Sequence, residues 1–347
     1  MVISTEIIHS VMLPLLIAFA VSVALSPFVI PFLRKLKVGQ TERAEGVQSH
    51  LKKAGTPTMG GTIILISVLV TCLFFVGRYP RIIPVLFLTL GFGIIGFLDD
   101  YLKVVLKRSD GLLPKQKMFC QLAVTTVFVI YMILKDESGL TMVLPFTDYV
   151  LDIKWITVPL AYFAIIGTDN GVNFTDGLDG LATGTSAIIG ATLGILAYVS
   201  GNMVYADYLN IMYIPHSGEL VVFGSAFIGA TIGFLWYNSY PAQVFMGDTG
   251  SLALGGIIAV FAIIIHKELL IPALCGIFLM ENLSVVMQVS YFKYTKRKFG
   301  EGRRIFLMAP LHHHFQKKGI PEPKIVTRFW IIGIILAVVT IVTLKIR

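Results

Sequence analysis

The chain has 347 residues, of which 56% are hydrophobic and 14% charged. Soluble domains of this size carry about 25% charged residues, so the composition excludes an ordinary soluble enzyme and points to a membrane-embedded protein. The 28 Lys and Arg outnumber the 20 Asp and Glu, for a formal charge of +8, but in membrane proteins basic residues gather in cytoplasmic loops and such an excess calls for no nucleic acid partner.

Apolar runs of about 17 to 25 residues can cross the roughly 30 Å hydrocarbon layer as helices. Taken in chain order, such runs predict ten spans, at about 7–33, 57–76, 81–98, 117–134, 153–168, 179–199, 221–238, 250–266, 269–290 and 327–345. The first has Glu6 but no basic residue ahead of it, unlike a cleaved signal peptide, and reads as a span. None of the runs alternates as barrel strands do. Cys72, Cys120 and Cys275 each lie in an apolar run without paired metal spacing, which argues against a disulfide framework or a thiolate metal site.

The expected fold is therefore all-α, a polytopic integral membrane protein forming one domain over 1–347 with no internal repeat. Cytoplasmic loops are expected at about 34–56, 99–116, 169–178, 239–249 and 291–326. The segments 34–56, 99–116 and 291–326 hold six, four and nine Lys or Arg. The positive-inside bias puts them in the cytoplasm and both termini outside.

Polar residues collect at that same side. Asp99 and Asp100 end the third span, and adjacent helical residues point about 100° apart, so the two acids are expected to divide their roles. The connection GTDNGVNFTDGLDGLATG carries Asp169, Asn170, Asn173, Asp176 and Asp179. If residues 176–179 open the next helix, Asp176 and Asp179 share a face near its positive end. The segment YNSYPAQVFMGDTGS supplies Asn238, Phe245 and Asp248. Such a carboxylate set suits Mg²⁺, a hard cation that prefers oxygen and bridges phosphates. Lys52, Lys53, Lys115 and Lys117 offer positive partners for anionic substrates. His312, His313 and His314 do not point one way on a helix, so a three-histidine metal site is poorly supported, while a contact to phosphate or nucleobase is open. Glu281, Asn282 and Gln288 sit in an otherwise apolar ninth span, where a charge implies a protein-facing partner or cavity.

The motifs GTPTMGG at 55–61, GFLDDYLKV at 97–104, PKQK at 114–117, NFTDGLDGLA at 173–182, FMGDTGSLALGG at 245–256 and APLHHHF at 309–315 resemble the phospho-N-acetylmuramoyl-pentapeptide transferase family, within the polyprenyl-phosphate N-acetylhexosamine-1-phosphate transferases. The likeness extends over nearly the whole chain. It implies an enzyme of the bacterial cytoplasmic membrane, active at the cytoplasmic face, that moves phospho-MurNAc-pentapeptide from its UDP-linked donor to undecaprenyl phosphate. The products are lipid I and UMP, made in peptidoglycan synthesis. It also implies Mg²⁺ as cofactor and a homodimer.

By the same resemblance Asp99, Asp100, Asp248 and His313 are the catalytic candidates, with Asp248 the leading metal ligand, Asp100 a metal residue in a metal-proximal or structural role, and Asp99 a base or organiser for the lipid phosphate. Asp176, Gly177, Leu178, Asp179, Asn238, Phe245 and Gln288 would form a uridine region. Lys53, Asn173, His312 and His314 would add substrate contacts, and Lys115 and Lys117 phosphate contacts. Transfer by direct attack and transfer through an aspartyl phosphate both fit this set.

Overall fold

A computed structural model of the chain describes residues 7–36, 55–108, 110–135, 141–143, 150–152 and 154–343. A π-helical turn, Ile8–Met12, leads into α1 (Leu13–Lys35), followed by α2 (Gly61–Phe75), α3 (Ile82–Val104), α4 (Pro114–Lys135) and α5 (Thr157–Thr175). Then come α6 (Leu181–Ser200), α7 (Met203–Leu209), α8 (Leu220–Asn238) and α9 (Gly247–Ile264). The chain closes with α10 (Ile271–Leu274), α11 (Gly276–Phe299), α12 (Leu311–Lys317) and α13 (Glu322–Val342). Among the described residues the extended exception is a short antiparallel ribbon, β1 (Thr141–Val143) with β2 (Val150–Asp152), in register Thr141 to Asp152.

Among the described residues seven helices are long and apolar enough to cross a membrane, and an eighth if Glu268–Leu274 and Gly276–Phe299, bent by 77°, count as one span. Helices also fill the two remaining apolar segments. Of these, α2 has only 15 residues, and α5 carries Asp169, Asn170 and Asn173 in its second half, which dilutes its hydropathy. Several helices run past their expected ends. α3 continues to Val104 and so includes the acidic pair, α5 continues to Thr175 through what reads as loop, and α9 starts at Gly247, taking in Asp248. Polar residues that look like loop in a hydropathy scan are end turns of helices here, because a helix leaving the bilayer goes on satisfying its own backbone.

The core is organised on α9. Its sequence GDTGSLALGGIIAVFAII is apolar on every side, the pattern of a helix with no solvent face, and every residue of it except Asp248 is buried. It packs against α3, α5, α2 and α6, while α1 packs on α8 and α13 on α6. Small residues let these backbones approach closely. A Cβ on Gly61, the first residue of α2, would lie 2.1 Å from the Gly250 nitrogen on α9. The helix that buries seventeen of its eighteen residues thus presents its single partly exposed side chain, Asp248, at the polar end of the bundle.

Candidate active site

Three helix ends and one turn converge on Asp248. The first is the end of α3, held against the start of α9 because residue 96 is glycine: a Cβ there would sit 2.1 Å from the Asp248 carbonyl oxygen. One turn later the acidic pair divides. Asp100 faces α9, its Oδ1 accepting the Asp248 N–H at 3.2 Å and its Oδ2 accepting the Thr249 N–H at 2.8 Å and hydroxyl at 2.7 Å. A carboxylate across the first N–H groups of a helix satisfies otherwise unpaired donors and meets the positive end of the dipole. Asp99 lies against the Asp248 carboxyl instead of under the helix start, its Oδ2 accepting from Lys103 Nζ at 2.7 Å and its Oδ1 from the Leu112 N–H at 2.6 Å.

Asp248 is the hub. Its Oδ2 takes Lys103 Nζ at 2.6 Å and Lys117 Nζ at 3.3 Å, and its Oδ1 takes Asn173 Nδ2 at 2.6 Å. Asn173, on the last turns of α5, also reaches Ser251 Oγ at 2.8 Å. Lys117 stands 3.6 Å from Asp99 as well. Two carboxylates from different helices thus share two ammonium groups.

The turn 176–180 closes the cluster. α6 begins only at Leu181, so Asp176 and Asp179 lie before it and take separate partners. The Gly247 N–H bonds to the Asp176 carboxylate, and burial first, then the charges of Asp248, Asp100 and Asp179, push that group well above the usual carboxylate range. Asp179 is buried, accepts the Ala242 N–H at 3.0 Å, and donates its own N–H to Glu322 at 2.8 Å.

The loop 239–246 is fixed by the next candidates. Asn238 accepts from the Thr183 hydroxyl at 2.7 Å and donates to the Val244 carbonyl at 3.0 Å. Phe245 donates its N–H to the Pro57 carbonyl at 2.8 Å, and its own carbonyl accepts from Gly60 at 2.9 Å. The motif at 55–61 is therefore docked by its backbone on the segment that carries Phe245 and Asp248. Leu178 is buried beneath the turn and Gly177 faces His312.

The histidine run forms α12. His312 is buried beside Glu281, His313 Nδ1 lies 2.7 Å from Gln316 Oε1, and His314 Nδ1 accepts the Leu307 N–H at 3.1 Å. Partial burial and the nearby Lys318 charge lower the His314 pKa, which suits a ring that accepts. Gln288 Oε1 accepts from the N–H groups of Ile305 and Phe306 at 3.1 and 2.9 Å and ties the basic excursion to α11.

Among the predicted residues, Asp99, Asp100, Asn173, Asp176, Lys117 and Asp248 come together in one network. Asp179, Asn238 and Phe245 shape its border. Lys115 is exposed at the start of α4, and Lys53 lies outside the described residues. Lys103, Thr249, Ser251 and Glu322 were not singled out from the sequence. The signal for Lys103 was its position four residues after Asp99, where a helix brings opposite charges together.

The carboxylate oxygens of Asp248 are ligands of the kind a hard cation takes, and here they are engaged by Lys103, Lys117 and Asn173. Among the described residues no three His, Cys, Asp or Glu side chains form a metal cage. Mg²⁺ needs none, since it usually binds one or two carboxylates and completes its shell with water and substrate phosphate. The residues present fit that ion.

Comparison with known proteins places these residues in context. A family model described as glycosyl transferase family 4 matches residues 82–266, and a phospho-N-acetylmuramoyl-pentapeptide-transferase signature matches 53–65. The phospho-N-acetylmuramoyl-pentapeptide-transferase of Flavobacterium psychrophilum is 48% identical over 96% of this chain and 93% of its own length. The Parabacteroides distasonis protein of that name is also 48% identical over the same shares. That of Amoebophilus asiaticus is 46% identical over 96% of this chain and 92% of its own.

Proposed function

The chain belongs to the phospho-N-acetylmuramoyl-pentapeptide transferase family, and from that premise we propose that it transfers phospho-MurNAc-pentapeptide from UDP-MurNAc-pentapeptide to undecaprenyl phosphate. The products are lipid I and UMP, an early membrane step of peptidoglycan synthesis. The observation that carries this reading onto the site is the sharing of Lys103 and Lys117 by Asp99 and Asp248. Phosphoryl transfer asks mainly for positioning and for neutralised oxygens, and this cluster offers both charges at a partly exposed end of the bundle.

The acceptor's hydrocarbon tail stays in lipid while its phosphate reaches the cluster, which the basic loops orient toward the cytoplasm. A phosphate oxygen of the acceptor attacks the sugar-linked phosphorus of the donor. The bond from that phosphorus to the bridging oxygen breaks, and UMP leaves with the electron pair. An acceptor phosphate is already an anion near neutral pH, so no strong base is needed. Asp99 holds Lys103 and Lys117 at the reacting oxygens, and both ammonium groups can turn from the carboxylates to phosphate.

Asp248 would hold Mg²⁺, and Asp100 fixes the helix start from which Asp248 projects. When bound, the ion neutralises diphosphate oxygens and favours departure of UMP. Asp176, Gly177, Leu178, Asp179, Asn238, Phe245 and Gln288 border the donor's uridine, Phe245 offering a ring face. Asn173, Lys53, Lys115 and the three histidines add donor contacts, with His313 nearest in role to the reacting groups.

The test is matched UMP release and labelled lipid formation by purified protein in detergent with both substrates and Mg²⁺. Product should require all three components. Turnover with UDP-GlcNAc and none with the MurNAc-pentapeptide donor would overturn the substrate assignment.

A further inference from the structure

A second contact between ionisable side chains lies deep beside the aspartate network. Glu281, on α11 shortly after the 77° bend, and His312, on the first turn of α12, both have side chains with 0% exposure. Nδ1 of His312 stands 3.2 Å from Oε2 of Glu281, and the His312 backbone N–H donates to Oε1 at 3.2 Å and lies 3.4 Å from Oε2. Neither ring nitrogen makes a directed hydrogen bond among the described residues. The backbone bond, the approach of the Glu281 carboxylate and packing therefore hold the ring.

The opposite edge of that ring meets the Asp-rich turn. A Cβ on Gly177 would fall 2.2 Å from His312 Nε2, so the imidazole occupies the space a side chain at 177 would need. On the outer side the His313 ring centroid is 4.1 Å away. A buried ionisable pair costs more desolvation than apolar side chains of the same volume, and breaking it strands a charge. A contact of this kind specifies an arrangement more than it adds stability.

We propose that Glu281 is a positioning residue for donor recognition that acts through His312, setting the imidazole against Gly177 and with it the placement of the 176–179 turn and of His313. The inference rests on the reading that this turn and the histidine run meet the nucleotide donor. The carboxylate touches no substrate. It fixes where the groups that do so stand.

The experiment uses full-length protein in detergent and initial rates, varying UDP-MurNAc-pentapeptide at saturating undecaprenyl phosphate and then the reverse. Glu281→Gln should raise the donor KM about tenfold or more while kcat and the acceptor KM stay within about threefold. Gly177→Ala leaves Glu281 and His312 in place and pushes directly on the ring, so it should show the same split and carries the test if Glu281→Gln fails to fold. In a His312→Ala background Gly177→Ala should add less than about twofold, since the ring it strikes is gone.

An unchanged donor KM in active Glu281→Gln protein overturns the inference. So does a fall in activity shared by both substrates that tracks a lowered melting temperature, which is the mark of a structural role, or full multiplication of the Gly177 and His312 effects. Failure of the unmodified protein to release UMP would instead bring down the proposed function, and the two outcomes are read from separate samples.

Discussion

The cluster around Asp248 and the Glu281–His312 contact are joined through Asp176 and Gly177, yet they treat charge in opposite ways. At Asp248 one carboxylate oxygen is shared by two ammonium groups, and the side chains of Asp248 and Lys103 are 16% and 38% exposed. At Glu281 one carboxylate faces one imidazole and both are sealed. The difference is the one expected between groups that must exchange partners with a substrate and groups that must not. Near water an ammonium can leave a carboxylate for a phosphate at modest cost, whereas at low dielectric the same exchange is prohibitive.

The largest effect should come from the hub of the open cluster. Asp248→Asn keeps the shape and the Asn173 contact but removes the charge that two lysines and a cation would share. We expect turnover to fall by at least about a thousandfold, roughly 4 kcal/mol of transition-state stabilisation, while the protein still inserts and purifies as a folded species. Labelled lipid formation measures the first and a thermal melt the second. Turnover within a factor of a few of the parent would remove Asp248 from the proposed chemistry and erase the distinction between the two regions.

The lysines sharpen the same contrast. Lys117 is more buried than Lys103, 16% against 38% exposed, and screening weakens an exposed charge more. Lys117→Met should therefore cost about a hundredfold in kcat and Lys103→Met about tenfold. A larger loss at Lys103 would mean that reach toward the substrate, not desolvation, sets the value of each charge.

Much of the open cluster was legible in the sequence because its acids stand where apolar runs end. Asp99, Asp100, Asp176 and Asp248 interrupt long hydrophobic segments, and polarity at a membrane boundary is visible to any hydropathy scan. Lys103 was passed over because a lysine just outside a span is ordinary. Its importance depends on Asp248, 145 residues away, and no local pattern carries that distance. Helix ends were misplaced for a related reason: hydropathy marks where the bilayer stops, and the backbone continues helical beyond it at Asp99–Val104 and Asp169–Thr175. Glu281 was noticed as a charge in an apolar run, but its partner was hidden, since only the bend before α11 and the docking of α12 bring His312 against it.

The smallest expected effect isolates Asp100 from its neighbour. Thr249 gives Asp100 two of its three bonds, one from the backbone and one from the hydroxyl. Thr249→Val removes the hydroxyl alone, with a side chain of nearly the same shape, and leaves both N–H bonds. A buried carboxylate deprived of one donor should cost about 1–2 kcal/mol of stability, seen as a lower melting temperature. If Asp100 acts by holding the start of α9, the two remaining bonds keep Asp248 aimed and turnover should drop only about two- to fivefold, under 1 kcal/mol in barrier. A loss approaching that of Asp248→Asn would show instead that the Asp100 carboxylate must be fully satisfied for the chemistry itself, and would move Asp100 from the scaffold of α9 into the reacting cluster.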